Sequence, residues 1–246
     1  LPIGCEMPFQ IIFDRALTND DLQLCAGTLT QQSMTASVAA SALYVENDTG
    51  SAGTVIEPFA AQPGTLAKLA LSWRDAQDAM ARAQSCALTH ASCDGAGFAS
   101  RRAEDALASR VAAAFCELDG ALGVLNAEAK SLVSAESFAA QVASMGSFRW
   151  PVEPWVGLRL ARTPTDAVAG TTNARAFLGY ELAVPVEPGE GPAEALTRLA
   201  ACTSYLLERG PVLADRQTLS LGPGMLLRVE VQHGRPDIYF LNREAA

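Results

Sequence analysis

Residues 85–118 read SCALTHASCDGAGFASRRAEDALASRVAAAFCEL, and the hydrophobic period changes inside that stretch. Ser85–Ala91 is a short apolar run of strand length, with turn formers after it. Beyond Gly97, residues Ala103, Leu107, Val111, Phe115 and Leu118 recur at spacings of three and four. That is one buried stripe of an amphipathic helix, with Arg101, Arg102, Glu104, Asp105 and Arg110 expected to point away from it. Gly120 is placed to stop the helix. A strand handing over to a long amphipathic helix is the unit from which the rest of the chain is read.

Upstream, Leu66, Leu69, Trp73, Ala76, Met80 and Ala83 carry the same spacing and predict a helix from about Gly64 to Gln84. Before it lie a strand at Phe9–Phe13, a helix capped by Thr18 or Asn19 with Asp20 and Asp21 at its positive end, and a strand at Ser37–Val45. The turn cluster Glu46–Gly50 and a strand at Thr54–Ala60 follow. Downstream, Leu122–Leu125 reads as a strand, and Ser134 opens a helix to about Met145. Gly146–Pro154, with Pro151 and Pro154, reads as a linker. The second half predicts a strand at Trp155–Leu160, an exposed loop or hairpin connection at Arg162–Ala174 and a strand at Ala176–Val186. After the loop Glu187–Pro192 come a helix from Leu196 to Gly210 and strands near Thr218–Leu221, Leu226–Val231 and Ile238–Leu241, the last two joined by a turn at His233–Asp237.

Strands and helices mix without strict alternation. The expectation is an α+β fold, with mixed or antiparallel sheets and helices packed on one face. The first six elements match a split β-α-β arrangement, so the first half can be ferredoxin-like. The halves are expected at 1–146 and 147–246, packed as one compact unit.

The chain has 246 residues, 18 basic and 27 acidic, for a formal net charge of −9. A hydrophobic fraction of 49% belongs to a globular chain with a core of its own. A pI near 4.7 argues against nucleic-acid binding, which needs a basic face. No apolar run reaches the roughly 18 residues a membrane span requires. The six cysteines, Cys5, Cys25, Cys86, Cys93, Cys116 and Cys202, read as free thiols of a reducing cytoplasm. Leu1–Cys5 faintly resembles a lipoprotein cleavage box, but Pro2 is unusual there and no signal region is visible, so the expectation is cytoplasmic.

No motif identifies a reaction, and the chain is expected not to be an enzyme. The two histidines, His90 and His233, fall in an apolar strand and a turn. Cys86, His90 and Cys93 offer only three metal ligands, in a stretch that reads as a buried strand. Glu46–Gly50 is too short for a calcium loop. Gly189-Glu190-Gly191 and Gly222-Pro223-Gly224 are tight turns and not phosphate loops. Phe148, Trp150 and Trp155 cluster beside the linker and are expected to seal the joint between the halves. No catalytic residue, metal or cofactor is expected.

Trp155–Leu160 (WVGLRL), Gly170–Asn173 (GTTN) and Phe177–Leu182 (FLGYEL) resemble a bacterial family of domains of unknown function, the one numbered 4261. Leu206–Leu213 and Asp215–Leu219 are similar to its tail, and Asp119–Val124 to its middle segment. The likeness runs mainly from Asp119 to Leu221; the first hundred residues match in outline. The family tail reads like Asp-Gly-Asp-Thr-Ile-Gly, whereas Asp215–Ser220 here lacks that glycine and the second acid. The resemblance brings no reaction. It implies a bacterial protein of the kind found beside secreted-toxin genes, where acidic α+β proteins serve as immunity proteins. Together with the charge, it leads to the expectation of a protein partner, a cognate toxin of a type VI-like secretion system such as a nuclease. Asp166, Glu187 and Glu190 are the candidate contacts. The alternatives are a secretion-system adaptor or chaperone, or an enzyme or ligand-binding domain of unrecognised type.

Overall fold

A five-residue run with four apolar side chains buried on both faces belongs in the middle of a sheet, and Phe9–Phe13 forms such a strand, β1. The structure is a computed structural model that describes residues 9–60, 63–146, 149–162, 167–220, 226–231 and 238–243. It is an α+β fold whose chain divides into two compact units, Leu1–Met145 and Gly146–Ala246.

In the first unit the strands are β1, β2 (Thr35–Ala39), β3 (Ala42–Asn47), β4 (Gly50–Pro58), β5 (Ser85–Cys93), β6 (Ala121–Asn126) and β7 (Ser131–Ser134). The helices are α1 (Asn19–Gln31), α2 (Pro63–Leu66), α3 (Ala76–Ala81), α4 (Phe98–Cys116) and α5 (Ala135–Ala143). The sheet order is β2-β3-β4-β5-β1-β6-β7, with every neighbouring pair antiparallel. Within it β6-β1-β5-β4, with α1 and α4 as the two helices, has the strand order of a ferredoxin-like β-α-β-β-α-β unit. The hairpin β2-β3 extends that unit on one side and β7 on the other.

The long helices α1, α4 and α5 cover the face that carries Phe9, Ile11 and Phe13; Phe9 meets Phe138 of α5 edge-on at 5.4 Å. The entry to α1 is fixed by charge. Thr18 and Asp21 form a reciprocal capping box, and Arg15 clamps Asp21 with two hydrogen bonds of 2.9 and 2.7 Å. The Arg15 hydrogen bonds, ahead of opposing burial, hold the Asp21 carboxyl down at about 2. Its pKa is depressed in the fold, so the stabilisation is complete above the unfolded value near 4 and is lost as pH falls through about 2. Asp21→Asn is expected to remove about 2 kcal/mol at pH 7 and less than about 0.5 kcal/mol at pH 2, measured by denaturant titration at both pH values. Equal losses at the two would contradict the clamp.

Four expectations for this unit are corrected. Ser37–Val45 is not one strand but the hairpin β2-β3, turned at Ala40 and Ser41 with φ of 49° and 61°. Neither residue is a glycine or asparagine, so nothing in the sequence marked the turn. Residues 64–84 are not one helix: α2 runs into a single 3₁₀ turn at Ala67–Leu69, the chain extends at Ala70, and α3 resumes at Ala76. The apolar stripe survives the break, because Leu66, Ala76 and Met80 pack with Ile12, Leu125 and Leu132 on the opposite face of the sheet. Strand β7 was not anticipated; it has only four residues. Asp105 does not point to solvent but is 2% exposed. The buried stripe of α4 is widened by Ala108 and Ala112, which draws Asp105 inward. Arg101 meets it at 3.0 Å and reaches Glu128 at 2.6 Å.

The second unit has the sheet order β11-β12-β13-β10-β9-β8: β8 (Leu158–Arg162), β9 (Ala167–Thr171), β10 (Glu181–Pro185), β11 (Thr218–Ser220), β12 (Leu226–Val231) and β13 (Ile238–Arg243). Two three-stranded meanders join through the parallel pair β10-β13, and helix α8 (Pro192–Arg209) connects them and packs on β8, β9 and β10. Short helices α6 (Val152–Val156) and α7 (Arg175–Leu178) pack against α8. Three expectations change here. Trp155 lies in α6, and Gly157 at φ +69° releases the chain into β8. β9 occupies part of the segment read as a loop. Ala176–Val186 is not continuous strand: α7 ends at Gly179 with φ +82° before β10. The Glu181 carboxylate accepts the Ala174 and Arg175 backbone N–H groups and the Thr171 hydroxyl, which ties that turn down.

Candidate functional site

The strand period of two puts Ile12, Gly123, Leu125 and Leu132 on the sheet face away from the long helices. Gly123 leaves room there for Trp73. A Cβ at position 123 would stand 2.6 Å from Cζ3 of Trp73 and 2.7 Å from the Val133 carbonyl oxygen. The extended break between the 3₁₀ turn and α3 carries Trp73 onto this bare backbone. Gly123→Ala is expected to destabilise the first unit by about 1–3 kcal/mol through overpacking. A thermal melt coinciding with the parent's would show that Trp73 does not depend on the gap.

Trp73 is half-buried and lines a groove on each side. The groove beside α3 holds about 310 Å³, with Ala79, Ala121, Leu122 and Ala135 among its apolar lining. Asp75, Asp78 and Glu136 stand around it, all exposed. Their carboxylates accept no hydrogen bond and join no ion pair among the described residues. Arg82, also at the rim, reaches Asp14 at 3.3 Å. An aromatic ring beside three unneutralised carboxylates suits a guanidinium or ammonium group, through charge and through the ring face.

The acid is unevenly divided between the units. Leu1–Met145 carries 16 acidic and 8 basic residues, a net of −8, whereas Gly146–Ala246 carries 11 and 10, a net of −1. Nearly all of the chain's net charge therefore belongs to the unit that holds the Trp73 groove.

The candidate residues read from the sequence do not converge. Asp166 lies outside the described residues. Glu187 is half-buried at the start of the loop before α8. Glu190 is 10% exposed and ion-paired with Arg198, and its other oxygen accepts the Glu187 N–H at 2.9 Å. It is a structural residue of that loop. His90 is buried on β5 with Nδ1 unpartnered, while Cys5, Phe148, His233 and the Gly222–Gly224 turn lie outside the described residues. Cys86 and His90 point to one face of β5 and Cys93, three residues on, to the other, where its N–H meets Glu104. Among the described residues no group of His, Cys, Asp or Glu is placed to hold a metal ion. Burial raises the Cys25 thiol to about 12, and Cys25, Cys86, Cys93, Cys116 and Cys202 are all free. The Glu46–Gly50 segment is a hairpin turn in which Asn47 Oδ1 accepts from Thr49 and Gly50.

Sequence reasoning missed Trp73, Asp75, Asp78 and Glu136 as a group. It counted Trp73 as one more position on an unbroken helix. The acids in Trp73-Arg74-Asp75-Ala76-Gln77-Asp78, and the glycine inside the apolar run Leu122–Leu125, were the available signals. No family model, curated protein or solved structure matches the chain. No helix among the described residues is long and apolar enough to cross a membrane.

Proposed function

We propose that this chain is a non-enzymatic, cytoplasmic binding protein for a cationic protein, and specifically an immunity protein that masks the active cleft of a bacterial secreted toxin. The observation that carries the proposal is the concentration of net charge, −8 on the first unit against −1 on the second. A toxin that grips phosphate needs a basic cleft, and an acidic partner is steered to it and covers it. Asp75, Asp78 and Glu136 around Trp73 offer a seat for one arginine or lysine of that partner.

Affinity capture with the full chain from its native host, at low and high salt, tests this. The expected result is one basic, toxin-like protein retained at low salt. Recovery of nothing at either salt would overturn the proposal. The triple variant Asp75→Asn, Asp78→Asn, Glu136→Gln is expected to slow association roughly tenfold at low salt and little at high salt. Equal rates for parent and variant at low salt would remove the groove from the interface.

A further inference from the structure

Among the described residues each sheet ends in strands with unpaired backbone groups, and three of the four ends are defended. β7 has four residues, three of them buried, and the 3₁₀ turn lies against it. β11 has three residues. β8 carries Arg159 and Arg162. β2 has neither the shortness of β7 and β11 nor the charge of β8, and α1, which packs against it, makes no hydrogen bond to its backbone among the described residues. Its five residues, Thr35-Ala36-Ser37-Val38-Ala39, include no charge and no proline, and its register with β3 runs without a bulge. Natural edges of that kind invite another strand.

The hairpin geometry fixes which groups are free. A two-residue turn at Ala40-Ser41 makes Ala39 and Ala42 a hydrogen-bonded pair, so Ser37–Tyr44 and Thr35–Glu46 are the next two. The N–H and C=O groups of Ala36 and Val38 therefore point outward, and no backbone partner meets them among the described residues.

Charge selects the occupant. Between Arg15 and Lys68 the chain contains no Lys, Arg or His, yet it carries Asp20, Glu46, Asp48 and Glu57 besides Asp21, which Arg15 neutralises. That stretch supplies α1, β2, β3 and β4, so the whole end of the sheet is anionic. A second copy would bring like charge to the edge. Glu46 stands exposed on β3 opposite Thr35, two strand spacings, about 10 Å, from an added strand and within reach of a long basic side chain. Tyr44, 49% exposed and opposite Ser37, offers a ring to a guanidinium.

We infer that the free edge of β2 receives an extended segment of the cationic partner, one with basic and apolar residues in alternation, as an eighth strand of the sheet. This rests on the proposal of a cationic partner and names where its backbone docks. The probe is an acetylated and amidated octapeptide of alternating lysine and valine, added to the ¹⁵N-labelled full chain. Amide exchange at Ala36 and Val38 is expected to slow about tenfold or more at saturation. The glutamate–valine counterpart is expected to have no effect, and neither is a lysine–valine peptide N-methylated at alternate residues so that it cannot pair. Ala36→Pro removes an outward N–H and no bond to β3, so Val38 is expected to lose its protection while the melting temperature holds. Equal protection by the N-methylated peptide would overturn strand addition whatever the variant does. Binding that leaves Ala36 and Val38 unprotected overturns strand addition and leaves the cationic-partner proposal standing; no binding anywhere counts against both. Protection that rises with protein concentration in the absence of peptide would make a second copy the occupant and overturn the inference.

Discussion

Arg198→Ala is expected to destabilise the second unit by about 3–5 kcal/mol, the usual result of leaving a buried charge without its partner. Arg198 is 6% exposed and Glu190 10% exposed. One Arg198 nitrogen donates to Glu190 and another to the Pro185 carbonyl oxygen at 2.6 Å. The pair joins the start of α8 to the end of β10 across the loop between them. Truncation strands a carboxylate and a carbonyl in a site with little water. The double variant Arg198→Met, Glu190→Gln is expected to recover most of the loss, because both charges leave together. Denaturant midpoints of the three chains read this directly. An Arg198→Ala midpoint equal to the parent's would show that the pair holds nothing.

Trp155→Ala is expected to cost the same unit about 3–5 kcal/mol by opening a cavity in its core. Trp155 is fully buried, stacked on Phe177 at 5.8 Å and 4°, and packed beside Trp150 at 5.4 Å. Trp150 in turn donates its indole N–H to Glu208 of α8 at 2.9 Å. The three rings and α8 thus form one internal cluster. Trp155→Phe keeps a stacking ring and is expected to lose less. A thermal melt in which both variants fall equally would mean that neither the cavity volume nor the ring stacked on Phe177 sets the loss, because Phe keeps most of both.

The elements that could be read in advance were those whose own residues decide them. Phe9–Phe13 is strand because Phe9, Ile11, Ile12 and Phe13, four apolar residues out of five, need burial on two faces. The α4 stripe is visible because Leu107, Val111 and Phe115 are large. Thr18 and Ser134 announce helix starts through their own hydroxyls, and both cap as expected. What failed depends on distant partners. Ala40-Ser41 turns with left-handed residues that carry no turn preference, held by the pairing on either side. The helix expected across residues 64–84 breaks because Trp73 has a place on Gly123, fifty residues away. Asp105 goes inside because Arg101, itself held by Glu128, meets it there. The candidate site follows the same division. Total acidity was plain, and with a boundary expected at residue 146 so was its allocation to the first unit, but the Trp73 groove needed the broken helix.

The measurement closest to the central claim is the activity of the captured partner, titrated with the full chain at low and at high salt. Activity is expected to vanish at one equivalent, with the Asp75→Asn, Asp78→Asn, Glu136→Gln variant needing more protein at low salt. A partner that stays bound yet fully active under excess protein would contradict the immunity function and make the chain an adaptor.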